Sequence, residues 1–216
     1  MSCCAPPSGY DRLFGERAAR RDAKRYRRKG LDETAEEMVE FLRGRGLDGT
    51  TVLEIGGGVG AIPLELLKAG ADRALEIELS PNYERTAAEL ARELGFADRV
   101  ERRLGDVVEE GATVPAADAV VMHRVVCCYP DPDALVGAAA ERARRHLVLS
   151  FPRERRLIRL GSRVVNLWFR LRRWDFRTYV HPASAILAAA ERRGLRPAFE
   201  HQGTIWHVAA LERPPS

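Results

Sequence analysis

The stretch that most constrains the fold is Thr51-Val52-Leu53-Glu54-Ile55-Gly56-Gly57-Gly58-Val59-Gly60-Ala61-Ile62-Pro63-Leu64-Glu65-Leu66-Leu67. It opens with a short β-branched and aliphatic run, passes through four glycines and ends apolar at helical spacing, which predicts strand, tight turn and helix. Glycines admit positive φ and close approach of a ligand to the backbone, and the first turn of the next helix offers free N–H groups. The stretch therefore predicts a cradle for a nucleotide-like ligand. Gly56-x-Gly58-x-x-Ala61 also fits the dinucleotide pattern G-x-G-x-x-G/A, in which a pyrophosphate rests on the helix N-terminus. Glu54 opposes that ligand. A carboxylate two residues before the first glycine repels a pyrophosphate and suits a ligand bearing an ammonium and a sulfonium.

The rest of the chain supplies the context of an α/β domain. At 216 residues the default is one domain. The sequence divides into an N-terminal helical cap, 1–48, and a main domain, 49–212, with an arginine-rich helical insert at about 152–176. Hydrophobic residues at 45% and charged residues at 31% are those of a soluble globular protein, and no apolar run approaches the ~18 residues needed to cross a bilayer. No secretory signal is visible in the first residues, so a cytoplasmic location is expected. The net charge of +4 comes mostly from arginines in two segments and points to an acidic or membrane-surface partner. The cysteines form two vicinal pairs, Cys3-Cys4 and Cys127-Cys128, which is not the spacing of a zinc site. Reduced thiols are the expectation, and no metal is assigned. A metalloid site built from all four thiolates is the outside alternative.

Taken in order, 11–29 is a basic segment with Leu13, Phe14, Ala18 and Tyr26 on one side, predicting a helix that either packs on the domain or caps the ligand, with Tyr10, Phe14 or Tyr26 at the mouth. A second helix spans 32–45, with Asp32 as N-cap. After the cradle, 73–80 alternates as a strand with Glu78 at its carboxyl end, about 18 residues beyond the glycines. An acid there accepts hydrogen bonds from ribose hydroxyls in nucleotide-binding α/β folds. Glu76, on the same face by alternation, is the weaker candidate, and one of the two acids is open to being simply solvated. A helix over 81–94, a strand over 99–104 and Gly105-Asp106 follow. The strand 117–122 runs into His123 and Arg124, which emerge beyond a strand's carboxyl end, where ligands bind in open parallel sheets. His123 is the best candidate for a catalytic base or for orienting a substrate oxygen, and Tyr129 and His181 are further candidates around it. His201 and His207 are candidates by residue type alone. In the insert, Leu157, Leu160, Val164, Trp168 and Leu171 recur at three- and four-residue steps beside arginines. Such a helix can lie on a membrane, cover a carboxylate-bearing substrate, or pack as an ordinary lid; the ordinary lid is the expectation. A final hairpin spans 195–211.

The pattern Glu54-x-Gly56-x-Gly58-x-Gly60, with Glu78 and Gly105-Asp106 downstream, resembles the motifs of the class I S-adenosylmethionine-dependent methyltransferases. The resemblance covers 49–211. It implies an α/β, Rossmann-like sheet of seven strands in the order 3-2-1-4-5-7-6, the last strand antiparallel, with helices on both faces. It implies S-adenosylmethionine as cofactor: Glu54, Gly56, Gly58 and Gly60 at its methionine end, Glu78 and Leu79 at the ribose, Asp106 and the Val107 N–H at the adenine, and His123 nearby. The activity implied is methyl transfer to a small or medium organic acceptor, at oxygen because the Asn/Asp-Pro-Pro-Tyr signature of amino-group methyltransferases is missing. Within the superfamily the chain also resembles magnesium-protoporphyrin O-methyltransferase, through a Tyr10-Asp11 start to an arginine-rich helix, a leucine-rich lid after the fifth strand, and His181-Pro182 before the last helix. Glu54, the glycine triplet and Cys127-Cys128 depart from that subfamily. Two alternatives stay open: an NAD-dependent oxidoreductase, and a non-catalytic protein of this fold that binds an anionic surface. Sparse aromatics among the arginines argue against nucleic acid as a partner.

Overall fold

The computed structural model describes residues 10–215, with the side chains from Arg12 onward. Cys3 and Cys4, and the side chain of Tyr10, lie outside the described residues. The elements in chain order are α1 (Tyr10–Leu13), α2 (Glu16–Lys29), α3 (Glu33–Arg43), β1 (Thr51–Ile55), α4 (Ala61–Lys68), β2 (Arg73–Glu78), α5 (Glu84–Glu93), β3 (Val100–Leu104), α6 (Val107–Glu110), β4 (Ala117–His123), α7 (Pro132–Arg142), β5 (Ala143–Pro152), α8 (Arg156–Leu171), α9 (Ala183–Glu191), β6 (Arg196–Gln202) and β7 (Trp206–Glu212). The strands form one sheet in the order β3-β2-β1-β4-β5-β7-β6. The first five run parallel, and β7 is antiparallel to both of its neighbours, as the sequence motifs implied.

The central strands are buried on both faces, so consecutive residues enter different cores. Leu53, Ile77, Met122 and Leu149 pack against Leu135 and Val136 of α7 and Ile186 of α9. Their neighbours Val52, Val121 and Val148 pack against Met38 and Leu42 of α3 and Ile62 and Leu66 of α4. Each fully buried aliphatic side chain of this kind contributes roughly 2 kcal/mol through removal of its surface from water. Helix starts follow local chemistry. Asp32 Oδ1 accepts from the Ala35 N–H at 3.1 Å to cap α3, and Asp131 caps α7 ahead of Pro132.

Three expectations change. The N-terminal helix is broken at Gly15, because tertiary contacts hold Phe14: its carbonyl accepts from Ser80 Oγ at 2.7 Å and its ring meets Phe176 edge-on at 5.7 Å. Glu76 is buried rather than solvated, since a parallel sheet covered on both faces leaves no wet side, and it pairs with Arg102. In α8 the side packed on the body is Ile158, Ser162, Asn166 and Phe169, whereas Leu157, Leu160, Val164, Trp168 and Leu171 face solvent. The apolar repeat is therefore not the packed face of a lid.

Candidate active site

The carboxyl ends of β1, β2 and β4, the residues just beyond β3, and the N-terminal helices α2 and α3 enclose one cavity of about 1240 Å³. That is somewhat above the ~300–1,000 Å³ of single drug-sized ligand sites, room for a cofactor with an acceptor beside it. The glycine loop forms its floor. Gly56, Gly58 and Gly60 all have positive φ, 67°, 61° and 72°. A Cβ at Gly56 would stand 2.8 Å from Val125 Cγ2, and one at Gly57 would overlap the Glu54 carboxylate, so only bare backbone fits between strand and ligand. Gly56 and Gly58 line the cavity; Gly60 does not, and instead caps α4 directly over the Glu76 carboxylate. The sequence expectation for Gly60 as a ligand contact is replaced by this structural role.

Acidic groups at or just past the ends of the first three strands reach the cavity. Glu54 is 1% exposed, its Oε2 has no hydrogen-bond partner among the described residues, and burial pushes its carboxyl up to about 8, with Arg102 pulling down and Glu78 pushing up. Glu78 accepts from the Gly58 and Ser80 N–H groups, each at 2.9 Å. Asp106 accepts from the Val108 N–H at 2.9 Å and from the Tyr129 hydroxyl at 3.1 Å. Leu79 and Val107 line the wall between them.

At the other side of the cavity His123 and Arg124 leave β4 as the sequence predicts. Arg124 holds φ at 61°, a left-handed conformation that costs a non-glycine residue about 1 kcal/mol. Its N–H donates to Ser150 Oγ at 3.0 Å, its guanidinium lies 4.6 Å over the Trp206 ring, and Nη2 meets Asp32 Oδ2 at 3.1 Å. His123 Nε2 is 3.6 Å from Asp32 Oδ1 and makes no hydrogen bond among the described residues. Burial lowers His123 to about 4; Asp32 opposes this, while Arg124 and Arg25 add to it, so the imidazole is neutral at physiological pH.

Tyr129 and His181 do not join His123. The Tyr129 hydroxyl is committed to Asp106, on the far wall, and burial beside that carboxylate pushes its pKa up. His181 lies outside the cavity, stacked on Tyr179 with ring centres 5.4 Å apart and its Nε2 2.9 Å from the Tyr129 carbonyl, so it braces the loop after β4. On the far hairpin His201 pairs with Glu37 of α3 and His207 with Glu200 of β6. Phe14 and Tyr26 do line the cavity, but the Tyr26 hydroxyl donates to Glu65 at 2.6 Å and ties α2 to α4. The Cys127 and Cys128 sulfurs are 3.8 Å apart and reduced, with Cys128 on the cavity wall.

Two site residues escape sequence reasoning. Asp32 is legible as an N-cap, yet its carboxylate also faces Arg124 through Oδ2 and His123 through the capping Oδ1 across the cavity. Arg102 stands in β3 beside Glu76, donates to Glu84 Oε1 at 3.1 Å and to the Gly58 carbonyl at 3.0 Å, and so clamps the glycine loop from below. Burial lowers it to about 10. The only sequence signal is a charged residue in mid-strand of a parallel sheet.

This strand order, with a glycine turn after β1 and acids after β1, β2 and β3, decides the architecture. The fold is that of the class I S-adenosylmethionine-dependent methyltransferases. The crystal structure of magnesium protoporphyrin IX methyltransferase from Synechocystis PCC 6803 with bound SAH superposes with a TM-score of 0.74 over 94% of this chain and 97% of that one, at 20% identity. The [4+2]-cyclase SpnF matches at 0.65 over 84% and 81%, at 16% identity, so the methyltransferase fold also carries other chemistry. No family model matches the sequence. Ribosomal protein L11 methyltransferase of Enterobacter sp. (strain 638) is 30% identical over 94 residues, 44% of this chain. The match spans 31% of that relative's length.

The residues present fit S-adenosylmethionine better than a dinucleotide. The Gly58 N–H, which a pyrophosphate would need, already donates to Glu78, and Glu54 beneath the loop adds a second carboxyl. The orphaned buried Oε2 of Glu54 leaves a place for a hydrogen-bond donor such as an ammonium.

Proposed function

We propose that the protein is an S-adenosylmethionine-dependent methyltransferase acting on a small or medium organic acceptor at oxygen. The observation that supports it most is the ring of Glu54, Glu78 and Asp106 around one glycine-floored cavity, the three carboxyls at the ends of successive parallel strands. Bound, the cofactor supplies a sulfonium methyl for in-line displacement by a nucleophile. Glu54 with the Gly56 and Gly58 backbone would hold the methionine end, Glu78 and Leu79 the ribose, and Asp106 with Val107 the adenine. The protein's contribution is alignment and exclusion of water, with Phe14 and Tyr26 closing the α2 side. His123, neutral and with its Nε2 lacking a hydrogen-bond partner among the described residues, would accept a proton from the acceptor oxygen. The net positive Arg25, Asp32 and Arg124 group beside it favours an anionic acceptor such as a carboxylate.

Calorimetric titration with S-adenosylmethionine and S-adenosylhomocysteine, with NAD as control, tests the class. Micromolar binding of the sulfur ligands alone is expected. Glu78→Ala removes a charged acceptor and frees the loop, and should weaken S-adenosylhomocysteine roughly 10- to 100-fold. Unchanged affinity in that variant, or tight binding of NAD, would sink the assignment.

A further inference from the structure

Helix α8 shows a feature that the cavity does not use. On a helical projection its exposed Leu157, Leu160, Val164, Leu167, Trp168 and Leu171 fall within an arc of about 100°, nearly opposite the Ile158–Phe169 side that packs on the body. Leu157 is 81% exposed, Leu171 75% and Leu160 56%. A continuous stripe of this size in water is an interaction surface rather than ordinary surface scatter. The helix contains no acidic residue, and Arg156, Arg159, Arg163 and Arg170 run along one edge of the stripe. Arg159 pairs with Glu154, while Arg156, Arg163 and Arg170 have no ion-pair partner among the described residues. Past the helix, Arg172 lies over Trp168, and the exposed Arg12 of α1 lies over Trp174, so two further arginines rest on indoles at this end of α8.

We propose that α8 is a docking helix for an anionic lipid surface, lying in the interfacial plane with the leucine stripe among the acyl chains and the arginines at the headgroups. Charge decides between this and a second copy of the chain. Two α8 helices meeting stripe to stripe would place unpaired arginines beside arginines, whereas phosphate headgroups neutralise them. Arginine stems also reach along an apolar surface while keeping the guanidinium at the headgroup level. The side of α8 opposite the stripe adjoins the cavity: Phe169 packs edge-on against Phe176 at 5.5 Å, and Phe176 lines the cavity wall. The proposal is independent of what the cavity binds.

Flotation of the full chain with vesicles tests it, using phosphatidylcholine alone and phosphatidylcholine with phosphatidylglycerol as roughly a third of the lipid. Binding is expected to the anionic vesicles only and to be released by salt. Leu160→Glu with Leu167→Glu, both on the exposed side, should lower it at least about tenfold with an unchanged melting temperature. Replacing Arg156 and Arg163 by serine should cost roughly fivefold each at low ionic strength. Absence of wild-type flotation on anionic vesicles overturns the proposal. So does flotation of the double glutamate variant at wild-type strength. A wild-type dimer that the double glutamate variant dissociates, seen by sedimentation, would show instead that a second copy covers the stripe.

Discussion

Glu54 is held above its ordinary range by burial, at about 8, so in the free protein it is neutral at physiological pH. A cation bound beside it stabilises the ionised form, and binding below about pH 8 must then expel the proton. Affinity for S-adenosylmethionine should rise up to tenfold per pH unit towards pH ~8 and level off above it. Titration at about pH 7 in two buffers of different ionisation enthalpy should report the released proton, and Glu54→Gln should release none. The same shift has a stability sign. A carboxyl raised in the folded state favours folding at low pH and loses that contribution as pH climbs from its unfolded value to about 8, so Glu54→Gln should flatten this decline. His123 is shifted the other way, to about 4. Its base form is therefore present across the physiological range, and once an acceptor is known the acid limb of kcat/KM should fall near pH 4 rather than 6.5. His123→Asn should lower kcat roughly a hundredfold with S-adenosylhomocysteine affinity nearly kept. A loss under tenfold would reduce His123 to positioning.

At the scale of elements, the β1–α4 turn agrees with its sequence in form, strand, positive-φ glycines and helix, while the contacts that make the glycines necessary come from other strands. Gly60 shows how those contacts act. Its φ of 72° disfavours any side chain, and a Cβ there would run into the Glu76 carboxylate that Arg102 pairs beneath the loop. Gly60→Ala combines left-handed strain with a disturbed buried ion pair, and should cost about 2–4 kcal/mol in denaturant midpoint experiments. A loss under about 0.5 kcal/mol would mean that the loop relaxes freely. Helix α8 is a similar case. Its period was legible and its face was not, because an apolar stripe specifies only that something apolar covers it. The packed side turned out to be Ser162 and Asn166, which bond to Thr178, together with Ile158 and Phe169.

Over the whole molecule, the N-terminal cap and the sheet share cores rather than merely touching. Ala19, Ala23 and Tyr26 of α2 are buried with Tyr83, Leu64 and Leu90, and α3 covers one face of β1 and β4. No helix among the described residues is long and apolar enough to cross a membrane. The glycine cradle and the elements carrying the acids at positions 54, 78 and 106 could be read from the chain, since a strand, a positive-φ turn and a helix start each depend on a few adjacent residues; the strand order came only from the resemblance to a family. What convergence would bring together could not. Asp32 reaches His123 and Arg124 across about 90 residues of chain, Tyr129 turns to Asp106 instead of His123, His181 is left behind the loop it braces, and Arg102 comes to lie under the glycines. Those placements rest on which side chains meet when the sheet closes, and on the burial that sets their charge. Neither quantity belongs to any segment of sequence alone.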